Sequence, residues 1–162
     1  MTTAPLLATR LSLSDLDVLS LIAQGANEVA LRDRGVYPSC NEARREVAAL
    51  GRALAGGTPI RWTRIVHLSV VHHLVPARRS TDVRLPPWQL DLLRAWASGI
   101  SLTEYAYEAS LSQMEAKELE QLLCQNLGAV SDQHAVLRGH EAGSLTVHDP
   151  LTVTFNGTGE TS

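Results

Sequence analysis

The chain has 162 residues, 44% hydrophobic and 19% charged, which is enough to bury a core in one domain or two small ones. No apolar run reaches the roughly eighteen residues that a helical membrane span needs. The net charge of −3 speaks weakly against nucleic acid, but it averages two unlike halves. Residues 1–80 carry ten arginines against six acids, whereas residues 81–162 carry three arginines and Lys117 against eleven acids. Phosphate attracts the first half and repels the second.

In chain order, Met1–Arg10 lacks the apolar core of a secretory signal peptide, and the two distant cysteines, Cys40 and Cys124, suit reduced thiols in a cytoplasmic protein. Residues 11–25 then run from a leucine to a glycine, and residues 85–99 repeat the pattern. Leu16, Asp17, Leu19 and Ala23 match Leu90, Asp91, Leu93 and Ala97. The three- and four-residue steps predict one amphipathic helix in each copy. Ser12 or Ser14 caps the first, Pro86 and Pro87 open the second, and Gly25 and Gly99 close them.

A short helix around Glu28-Val29-Ala30 follows, with its counterpart around Glu104-Tyr105-Ala106. After a turn, a third helix opens at Ser39 with Glu42 three residues on, and at Ser112 with Glu115 three on, the spacing of a capping box. Ala43, Val47, Leu50 and Leu54 stripe the first of these helices, and Ala116, Leu119, Leu123 and Leu127 the second. A fourth helix is expected over 61–74 and another from Ser131. Residues 76–84 read as a polar linker. Residues 138–162, rich in Gly, Ser and Thr, read as a mobile tail, in which Leu151–Phe155 could pair as a short strand. The fold class is all-α: a first domain over 1–75, a second over 85–137.

This order of helices resembles the LuxR-type (GerE/NarL) helix-turn-helix DNA-binding domain, present twice. The second copy is similar from Leu85 to Val136, through Leu92-Leu93, Ala97, Gly99, Ser101, Glu104, Ala106, Leu111-Ser112, Lys117, Leu122-Leu123, Leu127-Gly128 and Ala135-Val136. The first copy matches from Leu11 to about Val75, with two residues fewer after Gly25 and about three more before Ser39. The resemblance implies a bacterial transcription regulator whose third helix enters the major groove and whose fourth helix makes a dimer contact. It places a basic residue at Arg44 in the first copy and at Lys117 in the second. Only about ten residues precede the first copy, so no sensor domain is expected ahead of it.

The copies differ in charge. Arg44, Arg45 and Arg52 lie off the apolar stripe of the first third helix, with Ser39 and Asn41 near its start. Arginine can fork onto guanine or hold phosphate, and asparagine can read adenine. The same arginines also suit a solvated face paired with Glu42 and Glu46. In the second copy Glu115, Glu118 and Glu120 surround Lys117, which makes it the weaker DNA-binding candidate. The expectation is a homodimeric regulator bound to double-stranded DNA through the first copy. Trp62, Ile65, Val66 and Val136 are the candidate dimer or partner contacts, and the acidic second half is open to a protein partner. The alternative is an adaptor or anti-activator that does not touch DNA. A third reading is a tandem monomer spanning two half-sites. His67, His72 and His73 lack zinc spacing, and no nucleophile elbow or phosphate-binding glycine loop occurs, so no metal, cofactor or catalytic role is expected.

Overall fold

In the computed structural model, residues 11–80 and 82–155 are described. They form eight α-helices and no strand. The helices fall into two series of four. The first series is α1 (Leu13–Ala23), α2 (Glu28–Asp33), α3 (Cys40–Leu54) and α4 (Trp62–Val71). The second is α5 (Pro87–Ser98), α6 (Leu102–Glu108), α7 (Gln113–Leu127) and α8 (Asp132–Glu141). Lengths of 11, 6, 15 and 10 residues answer lengths of 12, 7, 15 and 10.

Local chemistry sets the helix ends. Ser12 with Asp15, Ser101 with Glu104 and Ser112 with Glu115 form reciprocal capping boxes, each satisfying two backbone N–H groups that the first turn leaves unpaired. Ser39 accepts from the Glu42 N–H but has no return bond from Glu42. Pro87 opens α5, where a missing N–H costs nothing. Gly99 ends α5 at φ +92°, which a β-carbon would disfavour. α1 stops one residue earlier than its counterpart: Gln24 caps it and Gly25 turns the chain at φ +100°.

The apolar stripes of both series meet in a single core. Leu19, Ile22, Leu31, Val47 and Ile65 from the first join Leu92, Leu93, Trp96, Tyr105 and Leu123 from the second. The strongest association between the series is α4 against α8. It is flanked reciprocally, α1 packing on α8 and α5 on α4. Equivalent positions repeat the exchange. A Cβ built at Gly25 would lie 3.6 Å from His134 Cβ, and one built at Gly99 would lie 3.3 Å from Arg64 Cβ. His134 and Arg64 each stand three residues past the cap of their own helix, Ser131 and Arg61. Mutual exchange of this kind is the contact pattern of an isologous pair, here built within one chain.

Two segments depart from the sequence reading. Residues 138–141 belong to α8, and the chain after it packs back on the second series. Leu151–Phe155 is extended but joins no ladder. Leu151 and Phe155 have φ of +53° and +55°, which breaks strand regularity at both ends. The segment is tied to a side chain instead: Thr154 donates its N–H (2.6 Å) and hydroxyl (3.0 Å) to Asp91, whose other oxygen accepts from the Tyr105 hydroxyl at 2.6 Å. Phe155 lies on the Tyr105 ring, centroids 5.6 Å apart. The stretch read as a linker is likewise docked, since Ser80 N–H donates to Glu141 O and Ser144 Oγ donates to Val83 O. The far end of the chain, 156–162, lies outside the described residues, as do 1–10.

Candidate nucleic-acid interface

The expected site residues cluster on α3, but not on one face. The helix buries Ala43, Val47, Leu50 and Leu54. At about 100° per residue, Asn41, Arg45, Ala48, Ala49 and Arg52 point away from that stripe. Asn41, Arg45, Ala49 and Arg52 are exposed and Ala48 half-buried. Arg44 projects sideways toward α2, where its guanidinium donates to Glu28 Oε1 at 2.9 and 3.3 Å and to Asn41 Oδ1 at 3.3 Å. The Glu28 carboxyl is held below its usual range by its own backbone N–H first and by Arg44 second. Arg44 therefore braces α3 against α2. Among the described residues Arg45 and Arg52 make no ion pair, so both guanidinium groups are unengaged. Ser39 is occupied as the helix cap, which leaves the α3 N-terminus well defined.

Sequence reasoning missed Arg34. It lies in the turn between α2 and α3, exposed and outside any ion pair among the described residues. Its neighbour Arg32 is held by Asp33 at 2.7 Å. It caps the C-terminal end of α2, six residues ahead of α3, and its place next to Gly35 in the turn was the available signal.

The corresponding face of α7 has different chemistry. Met114, Glu118, Gln121, Leu122 and Gln125 stand where α3 has Asn41, Arg45, Ala48, Ala49 and Arg52. Lys117 donates to Glu120 at 2.9 Å, and that partner holds its ammonium pKa up. Glu115 closes its capping box at 2.7 Å, which holds its carboxyl down. The face thus carries Glu118 as its free charge, and Met114 (73%) and Leu122 (44%) are unusually exposed for apolar side chains.

The candidate dimer contacts sit inside the chain. Ile65 and Val66 of α4 and Val136 of α8 are buried in the core, with Ile65 facing Gly51 of α3, and Trp62 is half-buried. The helices expected to carry an association surface, 61–75 and 131–137, pack on each other within one molecule as α4 and α8, about seventy residues apart along the chain.

Among the described residues no group of three or more His, Cys, Asp or Glu is arranged to hold a metal, and no helix is long and apolar enough to cross a membrane. Comparisons with protein-family models, curated proteins and solved structures gave no match.

Proposed function

We propose that the chain is a sequence-specific DNA-binding transcriptional regulator of the LuxR-type helix-turn-helix kind, acting in the cytoplasm, with α3 as the helix that enters the major groove. The observation that carries this reading is the outward face of α3: Asn41, Arg45 and Arg52, exposed, with the two arginines unpaired and small alanines between them. Small residues let the helix approach base edges, the arginines supply phosphate or guanine contacts, and the asparagine suits adenine. Arg34 and Arg44 flank the helix on the α2 side. The second series takes the place of a partner subunit, so one chain presents one reading helix without having to form a homodimer first.

Binding of the purified chain to fragmented genomic DNA across a salt series tests this. Recovery of fragments sharing a motif, with affinity falling as salt rises, is the expected result. No enrichment at low salt overturns it. The exposed Met114 and Leu122 on either side of Glu118 favour a second reading, a protein-interaction adaptor or anti-activator, which that negative result would promote.

A further inference from the structure

The two outward faces complement each other. On α3, Arg45 and Arg52 are seven residues apart, hence roughly 10 Å along the axis, and Ala48 and Ala49 leave a shallow hollow between them. Among the described residues neither arginine makes an ion pair. On α7, Met114 and Leu122 are eight residues apart, roughly 12 Å, and flank Glu118. Lys117 does not neutralise Glu118, because it is held by Glu120. One face therefore presents two unpaired cations, and the other an unpaired anion between two exposed apolar side chains.

Both faces are exposed in the single chain, so neither covers the other within it. We infer that the α7 face docks the α3 face of a second copy of this chain, head to tail. Glu118 enters the alanine hollow between Arg45 and Arg52, while Met114 and Leu122, spaced like the two arginines, lie against their alkyl stems. Such a heterologous contact leaves one free face of each kind at the ends, so copies add in series or close into a ring. The pairing is between partly exposed charges over a modest apolar patch, so it is weak and salt-sensitive. It also covers Arg45 and Arg52. If those arginines read DNA, as proposed above, self-association and DNA exclude each other, but the docking itself does not depend on that reading.

Sedimentation velocity of the full chain without DNA, over a concentration series at low and high salt, tests the inference. The wild type is expected to gain mass with concentration at low salt and to remain monomeric at high salt. Arg45→Glu and Glu118→Arg are each expected to weaken association tenfold or more, since each places like charges face to face. An equimolar mixture of the two variants is expected to associate again, because each then meets an opposite charge. Both substitutions are on exposed positions, and unchanged thermal melts verify folding. A wild type that is monomeric throughout, reversals without effect, or a mixture that fails to recover each overturn the proposal. A monomeric wild type that binds a cationic Leu/Lys amphipathic helical peptide, and loses it on Glu118→Arg, overturns it in favour of a different protein on this face. Glu118→Arg keeps α3 intact, so DNA retention by that variant scores the regulator reading separately.

Discussion

His67 on α4 and His140 on α8 share a hydrogen bond, Nδ1 to Nε2 at 3.0 Å, across the seam between the two series. Both rings are buried and stacked, with centroids 5.1 Å apart. Burial pushes each imidazole from 6.5 down to about 4, and for His67 the second ring and Arg64 push the same way, while Asp149 opposes the shift in both.

The folded pair therefore stays neutral where the unfolded chain binds protons. Stability is fully present above pH 6.5 and is lost as pH falls through that value toward 4. The loss by pH 4 should be on the order of 3 kcal/mol for each ring, seen as a melting temperature lower by roughly 10 °C or more. Thermal melts from pH 7.5 to 4 read this directly. The His67→Leu/His140→Leu double variant should flatten the profile in that window, because it has nothing there to protonate. An equally steep profile in that variant would place the acid sensitivity elsewhere.

Asp91 holds the last described segment to α5 and α6. Asp91→Ala should cost about 3 kcal/mol, since it leaves the Tyr105 hydroxyl and the Thr154 N–H unpaired. Tyr105→Phe removes one bond and keeps the ring, so about 1 kcal/mol is expected. Denaturant unfolding gives both values. Protease cleavage near residues 150–155 should increase in Asp91→Ala, and equal protection in the variant and the wild type would show that the segment is held without the carboxylate.

Much of this was legible in the sequence, and distance along the chain explains what was not. Ser39 and Ser112 cap helices through partners three residues away, so spacing alone revealed them, and Ser12 was one of two candidates; Ser101 caps α6 in the same way and was not read as a cap. The apolar stripes of α3 and α7 were visible because burial follows the helical period. The Glu28–Arg44 pair, the His67–His140 bond and the Asp91–Thr154 tie join residues 16, 73 and 63 positions apart, and no local pattern encodes them. The apolar fourth helices announced an association surface, but only the fold could tell that its partner lay in the same molecule. Position on the helix, not residue type, separates Arg44 from Arg45.

That separation predicts an ordered set of DNA affinities for the proposed regulator. Arg45→Ala and Arg52→Ala should each weaken binding by about tenfold or more, and lower the salt dependence. Arg44→Ala should act more weakly on binding and show mainly as a looser α2–α3 contact, because its guanidinium is held by Glu28. Lys117→Ala should leave affinity unchanged. Fluorescence anisotropy on a selected fragment ranks the four, and equal losses from all would refute α3 as the sole reader.

Gly25, just past the end of α1, lies close against the start of α8. A Cβ there would meet Val130 Cγ2 at 2.9 Å and Ser131 Oγ at 3.0 Å, on a backbone whose φ of +100° disfavours any side chain. Gly25→Ala should cost about 2 kcal/mol. Gly35→Ala, with open space around its Cβ and φ of +71°, should cost only the backbone strain, about 1 kcal/mol. Urea midpoints of the two variants separate the steric part from the conformational part, and equal losses would show that the α1–α8 approach yields freely.

The joined fourth helices change how the molecule answers to its own abundance. Two separate subunits find each other at a rate set by their concentration, so a pair that must assemble responds to the square of its supply. Here the tether supplies that encounter at an effective concentration in the millimolar range whatever the dilution. The seam should accordingly persist at a handful of copies per compartment, and the quantity of folded two-part molecule should rise in simple proportion to synthesis. The same tether makes the halves unequal by construction: a change on α3 is not copied onto α7, so each can be tuned without a matching change in the other.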